Sequence, residues 1–279
     1  MTIRTRFNGL FGNACMIALA ATAVANSTAM GQPPSLVATT TQVDSSQPLT
    51  FQYLFFWKEH DTRTQNALDA TQQELAKLGD DVSVKQIGIK DPANAEVVNY
   101  YGVSRAPMPL VLCTASNGAV TKAFVTPFAA SQLREGIVSR GTAASLKALQ
   151  ENKLVVLCAI GSGTAADQTT LSNAIALKSD QRFAKSIEVI ALDVHDPNEA
   201  TLLAGVELNS TLTEPTIVIL APPGKQLATL AGLVTTEQIA EKLVAAQSAC
   251  CPGGQCGPGG QCCPSGQCCP SGQCEPQKK

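Results

Sequence analysis

Charge is scarce in this 279-residue chain: Asp, Glu, Lys and Arg make up 15% of it and nearly cancel, at a formal net charge of -2. With no basic face to hold phosphates, and no glycine-rich phosphate loop or recognition helix, nucleic acid is not an expected partner. Histidine is scarcer still, at two residues, His60 and His195. One imidazole in each half leaves no second to share a metal, so both read as ordinary loop residues. Their acidic neighbours Glu59, Asp61, Asp91, Asp193 and Asp196 leave a metal or acid–base role conceivable. No Ser-His-Asp arrangement or paired-carboxylate cleft stands out. The apolar stretch over residues 10–25 is about sixteen residues long and holds Asn13, short of the roughly 20 residues of a spanning helix.

That stretch follows Arg4 and Arg6, contains no acidic residue and ends in Ala23-Val24-Ala25. It reads as a signal peptide over 1–25, cleaved after Ala25, and the expected location is exported: periplasmic, cell-envelope or secreted. Lipidation at Cys15 is disfavoured, because Gly12-Asn13-Ala14 is a poor lipobox and the cysteine falls mid-stretch. Residues 26–47 are rich in Ser, Thr, Gln and Pro and read as a flexible leader.

Beyond the leader the chain alternates strand and helix signals. A dense β-former run over 50–57 predicts a buried central strand. A helix from about Thr62 carries Leu68, Thr71, Leu75 and Leu78 at helical spacing, with Gly79 as its stop. A strand is expected over 82–89, and a short helix opens at Asp91-Pro92 and ends at Gly102. Strands over 110–113 and 120–125 flank the turn dipeptide Asn117-Gly118, and a helix over 131–139 closes the unit. The landmarks then return. Asp91-Pro92 with Gly102-Val103 behind it reappears as Asp196-Pro197 with Gly205-Val206, and Pro109-Leu110 with Gly118 reappears as Pro215-Thr216 with Gly224. Three landmarks at one offset of slightly over a hundred residues predict an internal duplication. The second unit is expected to hold helices over 143–150 and 236–247, with strands over 154–160, 187–193, 216–220 and 227–230.

This order, with Phe55-Phe56-Trp57-Lys58-Glu59 ending the first strand and Tyr101-Gly102-Val103 before a proline loop, resembles the thioredoxin family over about two hundred residues. The resemblance implies an α/β fold of two tandem thioredoxin-like domains, over 48–141 and 142–248, each a central mixed sheet flanked by helices. In that family the aromatic strand end leads into Cys-x-x-Cys at a helix start, where the dipole and backbone donors stabilise a thiolate. Here the corresponding stretch is His60-Asp61-Thr62-Arg63-Thr64, and in the second unit Cys158-Ala159-Ile160-Gly161-Ser162-Gly163-Thr164 has no pair. Dithiol exchange has no chemistry at either place. The family also places a cis-proline in the facing loop. Glu214-Pro215-Thr216 matches it, predicting a cis bond there, while in the first unit Pro107 and Pro109 both fit, with Pro109 favoured by the duplication offset. Such a loop either holds the fold or presents backbone polar groups to an extended peptide.

Of the ten cysteines left after cleavage, Cys158 lies in an apolar run and reads as a buried inert thiol, as less surely does Cys113 at a strand end. A bond between them is not expected. The other eight, Cys250, Cys251, Cys256, Cys262, Cys263, Cys268, Cys269 and Cys274, lie in a tail over 249–279 built on four six-residue units such as Cys-Pro-Ser-Gly-Gln-Cys. The repeats hold no Val, Ile, Leu or aromatic residue, so this segment cannot order itself by burial. Disulfides, within the tail or between chains, are the first reading in an oxidising compartment. Zinc or copper thiolate binding is the second. The expectation is an exported, non-enzymatic binding or scaffold protein without a cofactor in its domains, engaging a protein or peptide and self-associating through tail disulfides. A thiol–disulfide oxidoreductase acting through the tail, and a soft-metal protein, are the alternatives.

Overall fold

A computed structural model describes residues 49–161 and 163–248. The expected signal peptide, leader and cysteine tail lie outside the described residues. In the first unit β1 (Phe51–Trp57) and β2 (Val82–Gly88) run parallel, while β1 with β3 (Leu110–Ala115) and β3 with β4 (Val120–Val125) run antiparallel. The sheet order is β2-β1-β3-β4. β1, the dense β-former run, lies inside the sheet. Phe51, Tyr53 and Phe55 point to one face, with Leu68 and Leu75 of α1 (Thr62–Leu75), and Leu54 and Phe56 point to the other, with Val98 of α2 (Ala95–Tyr100).

The second unit repeats the plan. Its sheet order is β6-β5-β7-β8, built from β5 (Leu154–Ile160), β6 (Ile187–Asp193), β7 (Thr216–Ala221) and β8 (Lys225–Ala231) with the same parallel and antiparallel pairings. α3 (Arg140–Gln150) precedes it, α4 (Ala165–Ala176) joins β5 to β6, α5 (Ala200–Gly205) precedes β7, and α6 (Thr236–Ser248) closes it. α3 begins at Arg140, ahead of the boundary expected at 141/142. Its Ala148 and Leu149 pack with Val155, Leu157 and Ile190, while Ala143 joins the first unit's core. The helix is therefore a wedge between the two sheets.

The expected helix over 131–139 is instead a 3-10 segment, Ala130–Gly136, followed by extended chain. Its carbonyls are drawn to side chains: Tyr53 donates to the Leu133 oxygen at 2.6 Å and Thr121 to the Gly136 oxygen at 2.6 Å. A Cβ at Gly136 would stand 2.8 Å from Cys113 Cβ, so this close approach requires glycine.

The two units differ on one sheet face. Val155 and Ile190 are fully buried on the face that α3 covers. The register puts Gln52 and Lys85 at the matching places in the first sheet, and both are exposed. Among the described residues no helix precedes β1 to cover this face, and polar side chains occupy it accordingly. No helix among the described residues is long and apolar enough to cross a membrane.

Candidate functional site

Both parallel strand pairs end at the same edge, where β1 gives way to His60-Asp61 and α1. Asp61 is the N-cap, and its carboxylate accepts the backbone N–H of Thr64 at 2.8 Å. That bond holds the exposed Asp61 carboxyl below its ordinary value. The helix start thus carries a carboxylate that takes up one of its backbone donors and places a negative charge there. Beside it the rings of Trp57 and His60 meet edge to face at 5.5 Å. Trp57 in turn covers Gly88, where a Cβ would lie 2.9 Å from the indole. Glu59 is paired with Lys90 at 3.3 Å on the exposed surface, and Asp91 accepts the N–H of Ala93.

Phe56 pairs with Leu110 across β1 and β3, which brings Pro109 level with Trp57. The Met108-Pro109 bond is cis, and the Pro109 carbonyl accepts the Thr126 hydroxyl at 2.7 Å. Pro107 is exposed and its peptide is not cis. Pro215 takes the corresponding place in the second unit, level with Ile160, but the expected cis bond at Glu214-Pro215 is absent; the cis bond of that unit is Pro222-Pro223, in the turn between β7 and β8. The trans bond is the favoured form for an X-Pro peptide, and the Pro215 carbonyl still accepts the Gly232 N–H at 2.9 Å. A third cis bond, Thr126-Pro127, follows β4.

At the second unit's edge Thr164 caps α4, which the sequence had not signalled. Its hydroxyl accepts the Asp167 N–H at 3.2 Å, while the Asp167 carboxylate accepts the Thr164 N–H at 2.9 Å. This capping box satisfies two backbone donors at the helix start, and like Asp61 it places a carboxylate there. His195 Nε2 leans over Gly161, 3.2 Å from where a Cβ would stand, and its backbone N–H donates to Asp193 at 2.8 Å. Asp196 accepts the Asn198 N–H. The acids beside each histidine are engaged in turns and caps, and among the described residues no group of three or more His, Cys, Asp or Glu could hold a metal.

Cys113 and Cys158 are free and buried, in β3 and β5. Burial pushes the Cys113 thiol up to about 11, opposed in part by the nearby Thr121 and Tyr53 hydroxyls, and pushes Cys158 up to about 12. Neither is a thiolate near neutral pH, and neither lies at a helix start. The eight tail candidates, from Cys250 to Cys274, fall outside the described residues.

Sheet order, the parallel and antiparallel pairings, and the proline-led β3 and β7 beside the central strand decide the fold. Both units have a thioredoxin-like fold. Among solved structures, the chain is similar to thioredoxin-2 of a malaria parasite, at 21% identity over 34% of this chain and 84% of that one, with a TM-score of 0.28. It is similar to an N-terminal domain of the alkylhydroperoxide reductase AhpF from Enterococcus faecalis, at 16% identity over 70% of this chain and 91% of that one, with a TM-score of 0.27. The first two thioredoxin domains of Saccharomyces cerevisiae Eps1p match at 8% identity over 69% of this chain and 90% of that one, with a TM-score of 0.25. No family model and no curated protein matches the chain.

Two features of the site escape sequence reasoning. The carboxylate of Glu199 accepts the Ser139 hydroxyl at 2.6 Å and the Gly141 N–H at 2.8 Å, capping α3 from about sixty residues away. The side-chain amide of Gln150 reaches back to β4. No local motif announces either contact.

Proposed function

We propose that this chain is an exported, redox-inactive thioredoxin-like binding protein, whose domains hold a polypeptide partner and whose cysteine tail forms covalent crosslinks. The observation that carries the reading is the state of the two helix starts. Where a dithiol would stand, the carboxylate N-cap Asp61 begins α1 and the Thr164–Asp167 box begins α4, neither start carries a cysteine, and the cysteines of the described domains sit buried in strands as neutral thiols. A surface for a partner is supported by Tyr100, which is 56% exposed and packs edge to face against Tyr101, itself packed with Met108 on one face of the sheet. The tail supplies all the other cysteines of a mature chain beginning at Asn26, and repeats of Cys-Pro-Ser-Gly-Gln-Cys favour pairing between and within molecules.

The test is reduction of insulin disulfides by the full exported chain and by a chain ending at Gln247. No turnover from either supports a binding role. Turnover by the full chain alone transfers the activity to the tail thiols, and turnover by both overturns the redox-inactive reading. Non-reducing gels address the crosslinks: reductant-sensitive ladders are expected for the full chain and none for the shortened one. A monomer carrying stoichiometric zinc or copper would replace crosslinking with metal binding.

A further inference from the structure

β6 is the outermost strand of the second sheet, and among the described residues no strand pairs with its outer edge. Leu154 donates to the Ser186 carbonyl at 2.8 Å and Val194 to the Ile160 carbonyl at 3.0 Å. Bonding residues alternate along a parallel ladder, so Glu188, Ile190 and Leu192 turn their backbone groups to β5, while Ile187, Val189, Ala191 and Asp193 turn theirs outward. The side chains follow the same alternation: Ile190 and Leu192 pack in one core cluster, Ile187 and Val189 in the other. At the ends of this edge the Ile187 N–H is spent on the Phe183 carbonyl at 3.1 Å, and the Asp193 carbonyl on the Asp196 N–H at 3.2 Å. Between them the Ile187 carbonyl and both backbone groups of Val189 and Ala191 point outward.

Edge strands are ordinarily kept apart by charge. β2, the matching edge of the first sheet, carries the exposed Lys85 at mid-strand. β6 has no lysine, and its one mid-strand charge, Glu188, is 17% exposed and neutralised by Lys178 at 2.9 Å. Lys185 and Asp193 lie four residues to either side of Val189. Both are exposed, and neither enters an ion pair among the described residues. We infer that β6 pairs antiparallel with β6 of a second copy of this chain, about a two-fold axis at Val189. This register sets Val189 against Val189, Ile187 against Ala191 and Lys185 against Asp193, so outward residues meet outward residues and opposite charges meet twice over. Hydrogen bonds form in both directions across the Val189 pair, and from each Ala191 N–H to the Ile187 carbonyl of the other copy. Slipping the pairing by two residues either way puts Lys185 against Ala191 or His195 and loses the charge match. The two sheets become one continuous sheet. This pairing needs no tail cysteine and does not depend on the peptide-binding reading.

Analytical ultracentrifugation of the full chain in reductant, which removes disulfide links, tests the inference, with residue-resolved hydrogen exchange on the same samples. A concentration-dependent equilibrium between monomer and dimer is expected. The amides of Val189 and Ala191 should exchange about tenfold faster on dilution into the monomer range, while those of Ile190 and Leu192, bonded to β5, should not change. Lys185→Glu and Asp193→Lys should each raise the dimer dissociation constant about tenfold, because the axis makes each change count twice, and the double variant should restore it. An unchanged Tm controls for folding of the variants, and the dilution experiment needs none of them. A protein that stays monomeric overturns the inference. So does a dimer indifferent to both charge reversals, and so does protection of Val189 and Ala191 that survives dilution, which would place another segment of the same chain on this edge.

Discussion

Gln150 makes both backbone hydrogen bonds of Val120: the Val120 N–H donates to its Oε1 at 3.0 Å, and its Nε2 donates to the Val120 carbonyl at 2.6 Å. Val120 opens β4, the edge strand of the first sheet, and Gln150 ends α3, which packs on the second. A side chain thus completes the pairing that a neighbouring strand would give, and it ties the domains together while blunting an open edge. Replacing Gln150 by Ala is expected to cost about 1 kcal/mol in urea unfolding and to speed exchange at the Val120 amide. Unchanged exchange there would mean that the tie carries no weight.

The thiols of Cys113 and Cys158 make a prediction at alkaline pH. Each folded value lies above the ordinary cysteine value near 8.5, at about 11 and about 12. The folded state therefore keeps its protons after the unfolded chain has lost them, so stability is fully present below about 8.5 and falls as pH rises through the interval up to the folded values. Urea midpoints between pH 8 and 10, measured on a chain ending at Gln247 to remove the tail thiols, should fall with pH. Cys158→Ala should flatten that fall while lowering stability at pH 7. A thiol reagent should label neither cysteine until the domains unfold.

Asp61 gives the opposite dependence. Its carboxyl is held low by the Thr64 N–H, so its contribution is present above the ordinary aspartate value near 4 and is lost as pH falls through the lower folded value. Asp61→Ala should lower Tm by a few degrees at pH 7 and by less near pH 2. Asp61→Asn, which keeps an accepting oxygen, should hold most of the stability without that pH dependence. Equal losses for both variants would show that the cap bond is not the cause.

The parts of the fold that local chemistry writes were legible in the sequence. Asp91-Pro92 and Asp196-Pro197 each open a 3-10 turn in which the aspartate accepts an N–H two residues on. The missing dithiol was equally plain, since it needed only the residues between Trp57 and Thr64. α4 was silent because its fully buried positions are Asp167, Thr170 and Ala174, and the half-buried Leu171 and Ile175 are its one large apolar pair against the core. The segment over 131–139 carried a helical signal that Tyr53 and Thr121 override from other strands. Pro215 matched a motif, but a motif match does not fix the isomer of its peptide bond, which is trans. The cap on α3 joins Gly141 to Glu199, and only the folded chain brings them together.

Gly141 distinguishes intrinsic propensity from packing. It lies in the first turn of α3, where by propensity alone Ala should stabilise the helix by up to about 1 kcal/mol. The structure predicts the reverse. A Cβ at Gly141 would run into Leu192 Cδ2 and stand 2.6 Å from Glu199 Oε2, and both partners are held on the second sheet's side of the wedge. Leu192 is 2% exposed and has no space to retreat, and moving Glu199 would break its bonds to Ser139 and Gly141 together. Gly141→Ala is therefore expected to destabilise by about 2–3 kcal/mol, read as a lower urea midpoint at constant slope. Combining it with Glu199→Ala separates the two clashes: a partial recovery assigns part of the cost to the carboxylate, and none assigns it to Leu192. Stabilisation by Gly141→Ala alone would show that α3 shifts freely against β6, and the wedge between the domains would not be the tight joint described here.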